Sequence, residues 1–138
     1  MSQENVEIVR RIIEAFEEGA ERGDFEAAWE TGAAAPEVEW VAFAELEQRS
    51  FTGRDGFVEF MRRWTEDFDG WSAQVERLVD AGTDCVVAFY RQTATGKGSG
   101  VPVEQDYAIV YELKEGQLVR MQAYRDRAEA LEAAGLRE

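Results

Sequence analysis

Apolar residues in the N-terminal segment recur every three or four positions, the spacing of one stripe on an amphipathic helix. They are Val6, Val9, Ile12, Ile13 and Phe16. Ser2 is placed to cap the start of this helix. Gly19 and Gly23 interrupt the stripe, and Asp24 is placed to cap a short second helix. The apolar face of that second helix consists of Phe25, Ala28 and Trp29.

The period of the pattern then changes. Val38 and Trp40 alternate with Glu37 and Glu39 as far as Ala42, which predicts a short half-buried strand. Residues 44–52 are polar and irregular, so we expect no regular element there. The Gly53–Gly56 turn leads into a third helical stripe. That stripe consists of Phe57, Phe60, Met61, Trp64 and Phe68.

From Trp71 to Asp126, β-branched and aromatic residues dominate between short turn signals, which predicts four long antiparallel strands. The turns are Ala81–Thr83, Gly96–Gly100 and Glu115–Gly116. Alanines and a glycine stop predict a closing helix over Arg127–Leu136. We therefore expect residues 1–138 to form a single α+β domain, with N-terminal helices packed on a curved antiparallel sheet around one pocket.

The last hairpin predicts which side chains share a face. If Glu115–Gly116 is a two-residue turn, Lys114 faces Gln117 and each further pair follows in register. One face then carries Tyr107, Ile109, Tyr111, Gln122 and Tyr124. The other face carries Ala108, Val110, Met121 and Ala123. Because neither face reads as solvated, we expect helices and a cavity over the first, and a second copy of the chain, hence a homodimer, over the other.

Composition narrows the function classes. The formal net charge of −14 repels phosphate backbones and anionic lipid, so we expect neither a nucleic acid nor a membrane partner. The single cysteine, Cys85, lies in an apolar run and is predicted to be a buried, unreactive thiol. No segment reads as a signal peptide, which predicts a cytoplasmic protein. The Gly96–Gly100 stretch joins two strands instead of opening a helix, so it predicts a flexible loop and no phosphate-binding cofactor.

The order of elements has a further implication. Helix, helix, strand, helix and four strands, with Gly23-Asp24-Phe25 after the first helix and Phe51–Gly56 before the third, resembles the SnoaL-like branch of the NTF2-like superfamily. The Glu115–Arg120 hairpin and the Tyr124–Asp126 ending extend the resemblance over nearly the whole chain. It implies a cone-shaped α+β barrel with a deep apolar pocket, often dimeric. Members include isomerases, polyketide cyclases, epoxide hydrolases, dehydratases and binding proteins, and the fold alone does not choose among them.

The catalytic residues that this resemblance implies are replaced. In ketosteroid isomerase a carboxylate on the first strand and a tyrosine on the first helix act on the substrate, and the matching positions here are Trp40 and Phe16. In the polyketide cyclases a histidine and an aspartate face each other on the last two strands, where this chain has Ile109 and Gln122. The chain contains no histidine. That excludes the cyclase chemistry in its usual form and a metal site built from imidazoles.

Two carboxylates, Asp126 and Glu39, remain as candidate bases if burial raises their pKa. Asp126 also reads as a helix N-cap, and Glu39, which alternates with Trp40 along the strand, reads as a solvated side chain. Asp106 is predicted to form an ion pair with Arg125. A triad of two aspartates and an arginine, as in epoxide hydrolases, would need Asp106, Arg125 and Asp126, but the predicted register puts Asp126 on the opposite face. Arg91 reads as either an anion anchor in the pocket or a surface charge.

These observations predict a protein that binds a small hydrophobic molecule, without a metal or a cofactor. The predicted lining consists of Phe16, Trp40, Trp64, Tyr107, Ile109, Tyr111, Gln122 and Tyr124. The alternative is an isomerase, cyclase, lyase or epoxide hydrolase that acts on a small hydrophobic substrate with a carboxylate base. A third hypothesis is a structural dimer in which the same aromatic side chains fill the core and leave no cavity.

Overall fold

The structure is a computed structural model that describes residues 2–43, 50–82 and 84–135. Within these residues, three α-helices and one short 3-10 helix accompany a six-stranded sheet. The helices are α1 (Ser2–Ala20), the 3-10 helix (Ala27–Thr31), α2 (Gly53–Thr65) and α3 (Arg127–Ala133). The strands are β1 (Ala34–Val41), β2 (Ser50–Thr52), β3 (Phe68–Asp80), β4 (Cys85–Gly96), β5 (Pro102–Lys114) and β6 (Gln117–Tyr124).

The sheet has the strand order β2-β1-β6-β5-β4-β3, and every neighbouring pair is antiparallel except β1 with β6. In the described part of the chain its edge strands β2 and β3 do not pair with each other, so the curved sheet is open and not a closed barrel. The predicted α+β class and the four long antiparallel strands are confirmed. The short strand β2 lies where the sequence predicted no regular element.

The helices bury the predicted stripes. Val9, Ile12 and Ile13 of α1 are at most 4% exposed, because α1 lies across the sheet with this face inward.

Several elements differ from their predicted bounds. The predicted second helix is only the 3-10 helix. Asp24 does not cap it but accepts a hydrogen bond from the Glu26 N–H in the preceding turn, at 3.1 Å. Phe68 begins β3 and does not extend α2. The predicted end of the last helix, Leu136, lies outside the described residues, as do residues 44–49 and Thr83.

The last hairpin explains the largest departure from the sequence prediction. Its turn is the predicted two-residue one, since Glu115 and Gly116 both have positive φ (52° and 80°) and Lys114 pairs with Gln117. Leu113 then pairs with Leu118, but Glu112 pairs with Arg120. Val119 is left without a partner, as in a β-bulge. The predicted register is therefore wrong by one residue beyond this point.

This shift exchanges the two faces of β6. Met121 and Ala123 belong to the main core on the inner face, whereas Gln122 pairs with Val110 on the outer face. The bulge also keeps Arg120 outside, where its guanidinium contacts Glu112 at 2.9 Å and Glu39 at 3.1 Å. In the straight register Arg120 would turn towards an apolar interior at a cost of several kcal/mol. The ion pairs thus favour the bulged arrangement.

The outer face is covered in part by the chain itself. Val87, Phe89, Ala108 and Val110 form a small second core with Ala130 of α3. Helix α3 therefore supplies cover that the sequence analysis assigned to a second copy, and Met121 is not on this face. Homodimerisation and a cytoplasmic location stay predictions. In the described ranges no helix is long and apolar enough to cross a membrane.

Candidate functional site

A cavity lies between α1, α2, β1 and the inner face of β4 to β6. Its volume is about 60 Å³, and it adjoins space that is open to solvent. Aromatic rings make up most of its described wall, and none of the described wall residues carries a charge. All four tryptophans of the chain take part: Trp29, Trp40, Trp64 and Trp71. The site is thus an uncharged aromatic chamber.

Ring contacts hold this wall together. Trp40 meets Phe57 edge-on at 5.5 Å and packs against Phe60 at 5.3 Å. Phe60 in turn stacks on Trp64 at 5.9 Å. Aromatic pairs in these arrangements stabilise a core by about 0.5 to 1.5 kcal/mol beyond the area they bury. Helix α2 is therefore tied to β1 through the wall of the cavity itself.

A glutamine organises one side of the chamber. Gln92 is the one polar residue among the described buried residues, at 5% exposure. Its Oε1 accepts hydrogen bonds from Trp71 Nε1 at 3.0 Å and from Trp64 Nε1 at 3.4 Å. Its Nε2 donates to Gln105 Oε1 at 2.9 Å. One side chain thus satisfies two indoles, which fixes their ring orientations.

Three tyrosines stand beside it on β4 and β5. The hydroxyls of Tyr90 and Tyr111 lie 2.5 Å apart, and the rings of Tyr90 and Tyr107 stack at 5.1 Å. Burial raises the pKa of all three phenols far above the usual value, because the phenolate would lose its hydration. They therefore remain protonated in neutral solution and can act as hydrogen-bond donors.

Two further indoles are unsatisfied. The Nε1 atoms of Trp29 and Trp40 are buried and have no hydrogen-bond partner among the described residues. Trp40 is 5% exposed, and Trp29 is half-buried on the 3-10 helix. A buried donor without an acceptor costs about 1 to 3 kcal/mol. The walls of the chamber therefore hold two buried indole donors that the described residues do not satisfy.

The structure brings together most of the predicted lining. The wall includes Phe16, Trp40, Trp64, Tyr107, Ile109 and Tyr111. Gln122 and Tyr124 are not part of it, because the bulge at Val119 turns both to the outer face. The position inside the sheet that faces Ile109 belongs to Ala123, so the match of the cyclase pair to Ile109 and Gln122 is wrong at its second member.

The candidate bases lie elsewhere. Asp126 caps α3, and its carboxylate accepts a hydrogen bond from the Ala128 N–H at 2.8 Å. Glu39 of β1 lies on the outer face of the sheet, where its carboxylate pairs with Arg120 and accepts a hydrogen bond from the Ser50 hydroxyl at 3.0 Å. Neither carboxylate belongs to the wall of the cavity. The structure therefore gives no support to either as a base acting in this chamber.

The predicted charged constellations are also rearranged. Asp106 lies opposite Arg91, whose guanidinium it contacts at 3.5 Å, so the predicted Asp106–Arg125 pair is wrong. The guanidinium of Arg125 lies instead over the ring of Phe43 at 4.1 Å. Arg91 is exposed and also pairs with Glu104, which makes it a surface charge and not an anchor in the pocket. The triad of Asp106, Arg125 and Asp126 does not assemble.

Sequence analysis missed three residues at or near the site. Tyr90 and Gln92 were not assigned to a face, since β4 is apolar on both sides. Glu17 of α1 follows Phe16 in the helix, and the helical pattern gives it no role. Its carboxylate accepts a hydrogen bond from the Val75 N–H at 3.1 Å, and partial burial raises its pKa. Its charge also raises the pKa of Tyr90, so it lies within electrostatic reach of the chamber.

The cysteine belongs to a different environment. Cys85 was predicted to be buried, but it is only half-buried at the start of β4, and it forms no disulfide. Burial raises the pKa of its thiol, and the neighbouring Glu112 adds to the effect. A raised pKa lowers the thiolate fraction, which agrees with the prediction of an unreactive thiol. In the described residues no group of three or more histidine, cysteine, aspartate or glutamate side chains is placed to hold a metal ion.

Comparison with solved structures shows the fold. An NTF2-like protein from Burkholderia thailandensis is 26% identical, with a TM-score of 0.72 over 95% of each chain. An NTF2-like protein of unknown function from Burkholderia pseudomallei is 20% identical, with a TM-score of 0.72 over 94% of this chain and 95% of that one. TerC, co-crystallized with polyporic acid, is 19% identical, with a TM-score of 0.71 over 96% of this chain and 98% of that one.

Comparison at the level of sequence is more specific. No curated protein matches the chain. Residues 9–121 match the family described as the SnoaL-like domain, which spans α1 to β6 and every described wall residue of the cavity. The resemblance noted from the order of elements is therefore confirmed. The chain belongs to the SnoaL-like domain family and has an NTF2-like fold.

Proposed function

We propose that this protein binds a small apolar or aromatic molecule in the cavity. The observation that carries this proposal is a cavity whose described wall is uncharged and mostly aromatic. Sites for small molecules are typically concave and apolar, with a few polar groups that set orientation. Gln92 and the tyrosines are such groups. Support by analogy comes from TerC, whose fold is similar and which is co-crystallized with polyporic acid.

The size of the chamber limits its occupant. An engineered cavity of roughly 150 Å³ in another protein holds benzene, whereas the enclosed space here is about 60 Å³. An aromatic ligand therefore needs some wall residues to move. Phe16, Trp29, Trp64 and Trp71 are half-buried and so face both the chamber and its surroundings.

Binding is favoured over the catalytic alternative. An isomerase, cyclase, lyase or epoxide hydrolase of the predicted kind needs a carboxylate base or nucleophile next to the substrate. The described wall supplies no carboxylate, and the two candidates Asp126 and Glu39 are engaged at a helix cap and in an outer ion-pair network. The described polar groups of the wall are indoles, phenols and an amide, which donate and accept hydrogen bonds. None of them changes its protonation state near neutral pH.

The test is a ligand screen by thermal unfolding with a cavity-filling variant. A panel of apolar and aromatic compounds is expected to raise the melting temperature for at least one compound class. Ile109→Phe places a larger side chain in the chamber and is expected to abolish that rise. Gln122→Phe makes a comparable change on the outer face and is expected to retain it. An equal rise in all three proteins, or none in the unsubstituted protein, would overturn the proposal.

A further inference from the structure

Four half-buried aromatic side chains stand between the chamber and its surroundings, and the structure holds them to different degrees. Trp64 and Trp71 donate their indole N–H groups to Gln92 Oε1 at 3.4 and 3.0 Å. Phe16 belongs to the 19-residue helix α1, and its ring packs against three other rings at 5.7 to 6.3 Å. These three side chains are therefore held by hydrogen bonds or by several ring contacts.

The fourth side chain, Trp29, has the fewest interactions. Among the described rings it contacts Phe57 alone, at 5.1 Å, and its indole N–H has no hydrogen-bond partner in the described part of the chain. Because that N–H is buried, the closed position carries the cost of an unpaired donor. A movement that brings the N–H into water removes this cost. The wall is therefore weakest at Trp29.

The backbone at Trp29 is a short, weak element between two anchors. Trp29 lies on the five-residue 3-10 helix, whose start has no side-chain cap. Before it, Ala27 packs so closely on α1 that a Cβ atom at Gly19 would lie 2.5 Å from the Ala27 Cβ. After it, Gly32 has a φ of 76° in open space, and the Ala33 carbonyl is bonded to β6 at 2.7 Å. The segment thus has fixed ends and a glycine hinge.

A polar recess lies on the other side of Trp29. Its volume is about 360 Å³, against about 60 Å³ for the chamber, and it is open to solvent. Apart from Trp29, its described lining consists of Asp24, Glu26, Glu30 and Arg54. Trp29 is the one described residue that lines both spaces. Arg54 Nε lies 3.8 Å from Glu26 Oε2, so an ion pair ties the start of the 3-10 helix to α2.

We propose that Trp29 is the gate of the chamber: its indole swings into the recess as the backbone turns about Gly32, and a small molecule enters behind it. This inference rests on the proposed function, because it names the route to the same site. The Glu26–Arg54 ion pair is the latch that favours the closed state. With the indole in the recess, its place in the wall becomes room for a ligand, and the Gln92 network stays intact.

The first test needs no ligand. Trp29 and Trp40 both have a buried indole N–H without a described partner, so Trp40, on β1 and 5% exposed, is a matched control. Exchange of both protons with deuterated water is followed by ¹H–¹⁵N NMR, after assignment with single Trp→Phe variants. Trp29 is expected to exchange at least about tenfold faster than Trp40, because a local opening exposes it. Equal protection of the two protons would overturn the gate.

The second test loosens the latch. Arg54→Gln removes the ion pair to Glu26 and is expected to speed Trp29 exchange by up to about fivefold, the contribution of one exposed ion pair. High salt screens the pair in the unsubstituted protein, so the difference is expected to shrink there. Arg63→Gln breaks a pair with Glu59 within the same helix and is expected to leave Trp29 exchange unchanged. An equal change in both variants, or none in Arg54→Gln, would contradict the latch.

The third test uses benzene as the probe, with its rates of binding and release measured by NMR exchange. Since entry and exit both need the open state, Arg54→Gln is expected to raise both rates by the same factor as Trp29 exchange and to leave Kd nearly unchanged. Gln92→Leu, which releases Trp64 and Trp71 instead, is expected not to speed entry. Faster entry in Gln92→Leu but not in Arg54→Gln would put the entrance at those indoles and refute the proposal.

The failures are distinguishable. If benzene binds but its rates do not respond to Arg54→Gln, ligand binding stands and the gate is overturned. If benzene moves no indole resonance, the proposed function is contradicted for a ligand of this size, and so is the role of Trp29 as an entrance, even where hydrogen exchange shows that the segment opens.

Discussion

The two faces of the sheet differ in charge, although the same strands form both. The described wall on the inner face is uncharged, and its polar atoms belong to indoles, phenols and amides. The outer face carries ion pairs, such as Arg120 with Glu39 and Glu112, and Arg91 with Asp106. Its one apolar area among the described residues lies under α3. The strands thus separate an uncharged chamber from a charged surface.

This contrast shows how much depends on register. Side chains of a strand alternate between faces, so a slip of one residue moves every later side chain to the other side. In β6 the unpaired Val119 makes such a slip. It places Met121 in the chamber and Gln122 outside, one position apart. The chemistry of the site is therefore set by a bulge.

The largest expected effect tests this placement directly. Met121→Glu buries a carboxylate in the uncharged chamber and is expected to lower the free energy of unfolding by about 3 kcal/mol or more. Gln122→Glu, at the adjacent outer position, is expected to change it by less than about 1 kcal/mol. Urea unfolding of both variants measures the difference. A larger loss for Gln122→Glu would indicate that Gln122 faces the chamber, as in the straight register, and would contradict the bulge.

The next effect concerns the polar network inside. Gln92→Leu leaves the Trp64 and Trp71 indoles without their acceptor, and we expect a loss of about 1 to 3 kcal/mol in the free energy of unfolding. Gln105→Leu is the control, because it removes only the bond to Gln92 Nε2 at a half-buried position. The loss in the control is expected to be smaller, and equal losses would argue against Gln92 as the centre of the network.

A smaller effect is expected on the outer face. Arg120→Met leaves Glu39 and Glu112 facing each other without the guanidinium, for an expected loss of about 1 kcal/mol at low salt. High salt screens such half-exposed charges, so the loss is expected to shrink as ionic strength rises. Unfolding at several salt concentrations measures this. The Gln92→Leu loss, in contrast, is expected to be independent of salt. If the Arg120→Met loss were also independent of salt, ion pairs would not be what stabilises the outer face.

The smallest effect falls at the border of the two regions. Burial raises the pKa of Glu17, so the folded chain holds this proton to higher pH than the unfolded chain does. Ionised Glu17 therefore costs stability at neutral pH, and the cost disappears as pH falls below the unfolded value of about 4.3. Glu17→Gln keeps an acceptor for the Val75 N–H and is expected to be slightly more stable at neutral pH. Thermal unfolding against pH measures this, and a variant less stable than the parent at neutral pH would show that the carboxylate is needed.

The parts of the site that periodicity controls were predictable. Phe16 and Trp64 lie on helical stripes with one apolar face, and Trp40 alternates with glutamates, so each pointed inward on local grounds. Tyr107 and Tyr111 followed from their shared parity on β5. Tyr90 and Gln92 were not found, because β4 has Val86 and Ala88 on one face and Val87 and Phe89 on the other, so that apolarity does not distinguish the faces.

The sequence by itself determined the class of fold, the buried faces of the helices, the turn at Glu115–Gly116 and the absence of histidine chemistry, since these depend on composition and on neighbours along the chain. Only the tertiary structure decided that Gln122 and Tyr124 leave the chamber, that Gln92 holds two indoles, and that the Trp40 donor stays unpaired. Such outcomes depend on which groups from distant strands meet. The partners of charged and hydrogen-bonding groups come from segments that are distant along the chain, so no local sequence pattern predicts them.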